Sequence, residues 1–187
     1  FDINNTYHYL NEIPFADHGA LIDPPTSDVT ARCIGFLGKY GKQAHQNAVY
    51  RGVSFLLREQ EANGAWFGRW GTNYIYGTWS VLEAMQLAKQ DMKHTAVRRA
   101  VQWLKSVQRE DGGWGESNDS YLDPKLAELE TSTAFQTAWA LLGLMAAGEV
   151  KSESVRRGIN YLLSAQSSNH LWEEPWFTAP GFPRVFY

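Results

Sequence analysis

Apolar side chains recur at helical spacing in three stretches of the chain, and each stretch ends in a glutamine. The first stretch places them at offsets i, i+4, i+7, i+8 and i+11, with the residues Val49, Val53, Leu56, Leu57 and Gln60. The same offsets start again at Val155, and also at Val97, where Lys105 takes one of the apolar positions. This spacing is typical of one buried stripe of an α-helix. The sequence therefore predicts three amphipathic helices, each with a glutamine at the C-terminal end of its stripe.

A tryptophan follows each of these glutamines six positions later. The three segments are RGVSFLLREQEANGAW, RAVQWLKSVQREDGGW and RGINYLLSAQSSNHLW. We call their Gln and Trp residues the first, second and third clamp: Gln60 with Trp66, Gln108 with Trp114, and Gln166 with Trp172. The last carbonyls of a helix lack partners within that helix, so we expect the amide to donate to such a carbonyl or to a neighbouring helix end, and the indole to cover it.

The loop inside each clamp must turn tightly. Gly64 and Gly112 stand in the first two loops, where a residue without Cβ permits a left-handed backbone. His170 takes that place in the third clamp, which predicts a different turn there. In all three copies we interpret the clamp as a structural device.

A second kind of helix is apolar on nearly all sides. The segments WSVLEAM, from Trp79, and WALLGLM, from Trp139, have this character, which is typical of buried helices. An earlier helix is predicted after two prolines, with Ser27 as its N-cap, Asp28 in its first turn and Gly41 at its end. The chain thus resolves into three helical hairpins with a period of roughly 50 residues.

Stacked hairpins of this kind bury their apolar faces only against one another. Buried inner helices and amphipathic outer helices predict an all-α fold, an α/α toroid of which three hairpins form about half a ring. No alternating strand pattern of useful length is present. We expect residues 1–187 to be part of one toroid domain of a longer protein, truncated at both ends.

Composition excludes several classes of function. The net charge is −3, so nucleic acid is not an expected partner, and Cys33 alone cannot form an internal disulfide. The five histidines have no zinc-site spacing, so we expect no metal and no cofactor. No apolar stretch is long enough to cross a bilayer.

Aromatic residues gather in two glycine-containing segments, FGRWGTNYIYGTW and EEPWFTAPGFPRVFY. Two interpretations stay open for each ring. It packs in a core, as most buried aromatic residues do, or its face lines a cavity and stabilises a cation, by about 0.5–2 kcal/mol when water is excluded. Several rings in loops at one end of a toroid favour the second interpretation.

The clamp resembles the QW motif of triterpene cyclases. The first segment matches that motif fully, and Ala100 and His170 are the single departures of the other two. The motifs YGTW, GGWGES, QTAWALLGL and GFPRVFY, in this order, look like those of the C-terminal half of bacterial squalene–hopene cyclases, and the similarity runs nearly end to end.

The resemblance implies a class II terpene cyclase, an isomerase of hopanoid biosynthesis. Such enzymes bind squalene in a hydrophobic cavity between two toroid domains, protonate a terminal alkene and direct polycyclisation through cations. Their general acid lies in a DxDD motif, which this sequence lacks. We therefore expect the acid to lie outside this chain, and the segment alone to be inactive.

The resemblance also assigns residues. A supporting catalytic network would contain Tyr76, Asp28 and Arg32, and substrate-lining positions would be Phe1, Phe15, Asp23, Trp70, Phe182 and Phe186. Some family members have His in place of Arg32, paired with the catalytic acid. A guanidinium could play the same electrostatic role, although it could not carry a proton. The structural alternative is a surface arginine, a first-turn Asp28 and an Asp23 in a pre-proline turn.

Partners follow from resemblance alone. They are squalene or a similar polyprene, the cytoplasmic side of a bacterial membrane through peripheral or monotopic association, and a second copy in a homodimer. The alternative function is a non-catalytic toroid module for binding or scaffolding. A protein prenyltransferase subunit is excluded, since it would need zinc ligands that Cys33 cannot provide.

Overall fold

The computed structural model describes residues 25–176 and 178. Within that part the α-helices are α1 (Ser27–Tyr40), α2 (Gln46–Arg58), α3 (Tyr74–Leu87), α4 (Thr95–Ser106), α5 (Ala134–Ala146) and α6 (Glu153–Ala165). The strands are β1 (Trp114–Glu116) and β2 (Glu128–Thr133). Short 3-10 turns occupy Gln43–His45, Asn118–Tyr121 and Pro124–Leu126.

Helix α3 lies between α1 and α5 and packs on both. Helix α2 packs on α1 and α6 packs on α5, while α4 contacts α3 and α5. Both α3 and α5 are buried on most sides, as their composition predicts. The chain is therefore mostly helical, with an inner row of α1, α3 and α5 and outer helices α2, α4 and α6.

The outer helices bury narrower stripes than the sequence predicts. Val49, Val53 and Leu56 are buried in α2, but Leu57 lies at the edge and is exposed. In α6 the exposed residues include Ile159 and Leu163. Since only one side of each outer helix meets the inner row, residues at the rim of the stripe remain exposed in the described part of the chain.

The clamps form, and their two side chains have different hydrogen-bond partners. Of the two predicted alternatives for the glutamine amide, the bond to a neighbouring helix end is the one observed. The indole N–H of the tryptophan, not the glutamine amide, donates to the helix-end carbonyl, in Trp66 to Leu56 (2.7 Å) and in Trp114 to Leu104 (2.8 Å). The third clamp repeats this bond from Trp172 at 2.9 Å. The tryptophan therefore caps its own helix.

The glutamine instead connects one repeat to the next. The Gln60 amide donates to the Gly64 carbonyl in its own loop and to the Ala96 carbonyl at the start of α4, both at 2.8 Å. Gln108 makes the corresponding bonds to Gly112 and Ser154. One amide thus joins two successive outer helices.

The arginine that opens the second segment and the arginine that opens the third each bind the loop of the preceding clamp. Arg99 donates to the carbonyls of Glu61 and Ala62 in the first clamp loop. Arg157 donates to the carbonyls of Arg109 and Glu110 in the second clamp loop. Successive repeats are therefore locked by one glutamine and one arginine at each junction.

The prediction of a different third turn is wrong. His170 has a φ of 65°, in the same left-handed region as Gly64 at 99° and Gly112 at 92°. Its carbonyl still accepts from the Gln166 amide. Histidine is among the non-glycine residues that occupy this region more often, so the backbone conformation survives the substitution.

A small antiparallel sheet corrects the all-α expectation. Strands β1 and β2 pair with Trp114 opposite Thr133 and Glu116 opposite Glu128, with a register irregularity between. Strand β1 has three residues, too few to show a period of two, and β2, with the sequence ELETST, contains one apolar residue. The predicted N-cap is also shifted by one residue: Thr26 is the cap and Ser27 the first helical residue, whereas Gly41 ends α1 as predicted.

We expect Gln60→Ala in the full-length protein to lower the free energy of unfolding by about 1–3 kcal/mol, because two hydrogen bonds are lost, one within the first clamp and one to the next repeat. The matched control is Gln102→Ala, since Gln102 is exposed on α4 and its truncation should cost about 0.5 kcal/mol or less. Denaturant midpoints measure both. Equal losses would contradict the bridging role of Gln60.

Candidate functional site

The predicted site residues that the structure describes gather where α1, α3 and the loop before α3 meet. Asp28 and Arg32 lie four residues apart on α1, Tyr76 lies in the first turn of α3, and Trp70 lies in the loop. Phe1, Phe15, Asp23, Phe182 and Phe186 lie outside the described residues. We call the described group, together with Trp79, the aromatic face.

Asp28 fastens the Trp70 loop to α1. Its carboxylate is fully buried and accepts the Trp70 backbone N–H at 2.7 Å through one oxygen. The other oxygen accepts the Val29 N–H at 3.0 Å. The same residue therefore occupies a helix first turn, as its spacing suggests, and holds a loop 42 residues away in sequence.

Tyr76 stands among tryptophans. Its ring meets Trp139 edge-on at 5.1 Å and Trp79 at 5.8 Å between centroids. Burial raises the pKa of the Tyr76 phenol above its ordinary value of 10.0, the Asp28 charge adds to the rise, and Arg32 opposes it. The hydroxyl therefore stays protonated at neutral pH and can act as a hydrogen-bond donor.

Two glycines let the loop lie against Tyr76. A Cβ on Gly71 would approach the Tyr76 ring to 2.7 Å, and one on Gly68 would approach it to 2.8 Å. Side chains at either position would force the ring or the loop to move. The FGRWG segment thus owes its close packing on Tyr76 to these glycines.

Trp139 lies on α5 and packs on Trp79 of the aromatic face. Their rings stack at 5.8 Å with an interplanar angle of 7°, and Phe135 meets Trp139 edge-on at 5.1 Å. The Arg32 guanidinium lies 4.7 Å from the Trp79 centroid and 5.8 Å from that of Tyr76. Sequence reasoning noted both tryptophans but gave them no role at the site, because only the packing of α1, α3 and α5 brings them together.

Glu116 supports the site and was missed by sequence reasoning. Its carboxylate is buried and accepts the backbone N–H groups of Asn73 (3.3 Å), Tyr74 (3.0 Å) and Ile75 (3.0 Å) at the start of α3. The Gln136 amide in turn holds the backbone N–H and carbonyl of Glu116. The first N–H groups of a helix lack partners within that helix, so these hydrogen bonds to Glu116 fix the helix that carries Tyr76.

The segment after β1 holds the Trp70 loop from another side. The Tyr121 hydroxyl lies within hydrogen-bond distance of the Gly68 carbonyl (2.9 Å) and the Gly71 carbonyl (2.7 Å). Thr72 contacts Asn118 through their side chains. The loop is therefore braced by α1 through Asp28 and by the residues that follow β1.

Burial raises the pKa of Glu116 above its ordinary value of 4.5, and the three backbone N–H bonds only partly oppose the rise. A carboxyl with a raised pKa holds its proton more tightly in the folded state. Its contribution to stability is therefore complete below about pH 4.5 and is lost as the pH rises through the raised pKa.

We expect the unfolding free energy of the wild type, minus that of Glu116→Gln, to fall as the pH rises above about 4.5, since glutamine does not titrate there. Denaturant titrations of both full-length proteins between pH 4 and 8 would measure this difference. A difference that stays constant or increases with pH would contradict the burial of an ionisable Glu116.

A cavity of about 680 Å³ lies beside the second clamp and is separate from the aromatic face. Its lining includes Ile75, Trp103, Gln108, Arg109, Glu116 and Glu128. Neither Arg32 nor Tyr76 lines it. Within residues 25–176 and 178, no group of three or more His, Cys, Asp or Glu side chains could hold a metal ion. No helix in the described ranges has the length and apolarity needed to span a membrane.

Comparison with known proteins gives consistent matches. A family model described as the squalene-hopene cyclase C-terminal domain matches residues 1–187. The chain is 58% identical to a probable squalene–hopene cyclase of Sinorhizobium fredii and 56% identical to a squalene–hopene cyclase of Zymomonas mobilis, covering 100% of this chain and 29% of each relative. It is 42% identical to a dammaradiene synthase of Dryopteris crassirhizoma, over 100% of this chain and 31% of that protein. The chain thus spans less than a third of the length of these relatives.

Several solved structures have a similar fold, and one of them illustrates the likeness. It is the ent-copalyl diphosphate synthase from Streptomyces platensis, with a TM-score of 0.66 and 22% sequence identity. The match covers 85% of this chain and 31% of that chain. The helical arrangement described above is therefore one that a terpene cyclase also uses.

Proposed function

Because the chain belongs to the squalene–hopene cyclase C-terminal domain family, we propose that the whole protein is a class II terpene cyclase that converts squalene to pentacyclic hopanoids. The reaction would begin with protonation of a terminal alkene and proceed through cyclic cations. The observation that carries the proposal is the aromatic face, where Trp70, Tyr76 and Trp79 lie around a site braced by buried carboxylates. Faces of such rings stabilise cations where water is excluded.

The proposed roles follow from these contacts. Trp70 would contact cationic intermediates, and Asp28 would fix its position through the backbone N–H. Tyr76 would donate a hydrogen bond in the network around the acid, which its raised pKa allows. Arg32 would stabilise the ionised form of the general acid, contributed by another part of the protein. Phe1, Phe15, Asp23, Phe182 and Phe186 would line the substrate cavity.

We also propose that the hairpins form one arc of an α/α toroid. Each described junction uses a glutamine and the arginine of the next repeat. The third clamp keeps its own indole bond, yet Trp172 is 39% exposed and Leu163 is also exposed. A further hairpin at this end would cover the exposed side of α6 and supply an acceptor for Gln166.

Other partners are proposed from family membership. The substrate is a membrane lipid, so the whole protein would associate with the cytoplasmic side of a bacterial membrane as a peripheral or monotopic protein, and it would form a homodimer. Residues 1–187 would supply cavity aromatics without the proton donor. The isolated segment should then show no cyclisation.

The test is incubation of the full-length protein with squalene, followed by identification of the products by gas chromatography and mass spectrometry. Formation of pentacyclic hopene-type products supports the proposal. Unchanged squalene with a folded full-length protein would contradict it and favour a non-catalytic toroid module. Cyclic products formed from another polyprene, with squalene left unchanged, would contradict the assignment of squalene.

A further inference from the structure

Arg32 is held by an aromatic surface. Its guanidinium carbon is 4.7 Å from the Trp79 ring centroid, and Trp79 lies on the neighbouring helix α3. No carboxylate of the described residues lies within ion-pair distance of Arg32. Asp28, one turn earlier on α1, already accepts N–H groups on both oxygens. The Arg32 charge in this part of the chain therefore contacts the Trp79 ring and Tyr76, through the ring and the hydroxyl of the tyrosine.

This contact differs from the other cation–ring contacts of the described chain. Lys39 lies over the adjacent Tyr40, Arg69 over the adjacent Trp70, and Arg58 over Phe55 of the same helix, so each of these pairs is close in the sequence. The Arg32 contact instead connects α1 with α3, and its ring is 7% exposed. A buried ring that meets a charge from another helix constrains where that charge lies.

Trp79 is itself fixed by its surroundings. Its ring stacks on Trp139 of α5 at 5.8 Å and meets Tyr76 edge-on. Its indole nitrogen is buried and has no hydrogen-bond partner among the described residues. A buried donor without a partner costs stability, and phenylalanine would fill much of the space without that donor. What tryptophan adds is the strongest attraction for a cation among the aromatic side chains.

We propose that Trp79 is a positioning residue for Arg32, and that it holds the guanidinium where the cyclisation needs a fixed positive charge. The inference rests on the proposed function, in which Arg32 stands beside the general acid. Trp139 stacks on Trp79, so any effect of Trp139 on Arg32 is exerted through Trp79. Trp79 therefore affects the protonation step by the placement of one charge, without contact with the acid itself.

The test uses the full-length protein, with squalene as substrate, and compares Trp79→Phe and Trp79→Leu with the wild type. Loss of the cation–ring contact should lower kcat about two- to thirty-fold for Trp79→Leu, and less for Trp79→Phe, with KM unchanged. Trp79→Phe removes the unpaired indole donor, so its melting temperature should equal or exceed that of the wild type. An unfolded Trp79→Leu protein would leave Trp79→Phe as the deciding variant.

A double-mutant cycle with Arg32→Gln separates positioning from general packing. If Trp79 acts through Arg32, Trp79→Leu and Trp79→Phe should change kcat little in the Arg32→Gln background, since the charge they place is already absent. Two results would overturn the inference while the role of Arg32 stands. One is that the effects of the two substitutions on kcat multiply in the double mutant. The other is an unchanged kcat in Trp79→Phe and Trp79→Leu. An unchanged kcat in Arg32→Gln alone would overturn both the role of Arg32 and this inference.

Discussion

Trp114→Ala in the full-length protein is expected to lower the free energy of unfolding by about 3–5 kcal/mol, the cost of removing a large buried aromatic side chain. Trp114 is fully buried, and its indole N–H donates to Leu104 at the end of α4. Its backbone N–H donates to Thr137 at the start of α5. The side chain also packs so closely on α6 that a Cβ on Gly158 would lie 2.8 Å from it.

Two further variants serve as comparisons for Trp114→Ala. Trp114→Phe keeps an aromatic ring but loses the hydrogen bond to Leu104, so about 1–3 kcal/mol should be lost. Trp176→Ala is the surface control, because Trp176 is 48% exposed, and its truncation should cost about 1 kcal/mol or less. Urea denaturation midpoints give all three values. If Trp114→Ala cost no more than Trp176→Ala, the second clamp would not be a principal support of the fold.

Trp70→Ala is expected to change the products of the full-length protein, with little change in its stability. Trp70 is 36% exposed in this chain, and its backbone N–H, which Asp28 accepts, remains in the variant. The loop should therefore keep its place while the ring is lost. If that ring stabilises a cationic intermediate by about 0.5–2 kcal/mol, its loss favours early deprotonation by about two- to thirty-fold.

The measurement is the fraction of incompletely cyclised products formed from squalene. Trp70→Phe is the matched control, because it retains an aromatic ring at this position and should give a smaller fraction of such products than Trp70→Ala. A product profile for Trp70→Ala identical to that of the wild type would contradict the proposed contact between Trp70 and the cations.

The repeats and the buried helices could be predicted because their signals are local. The stripe from Val49 to Leu56 and the apolar character of α3 are periodic within one helix, and the helical fold follows from them. The spacing also indicates that Gln60 and Trp66 belong together. It does not say which of them reaches the carbonyl of Leu56, because that depends on how the loop returns to the helix.

The residues that hold the site in place contact segments that are distant in the sequence, so no local pattern predicts these contacts. Glu116 accepts N–H groups at the start of α3 from residues more than 40 positions earlier, and no pattern in the sequence around Glu116 indicates these contacts. Arg32 meets Trp79 only because α1 and α3 pack side by side. Resemblance assigned Arg32 and Tyr76 to one site, but the rings that hold Arg32 become visible only in three dimensions.

The structure supports a separation between residues that hold the repeats together and residues of the aromatic face. Gln60 joins α2 to α4, and none of its hydrogen bonds involves Asp28, Arg32 or Tyr76. The most direct test is the product composition of full-length Gln60→Ala with squalene, measured well below its melting temperature. We expect a lower melting temperature and the same products as the wild type. An altered product composition at an unchanged melting temperature would contradict this separation.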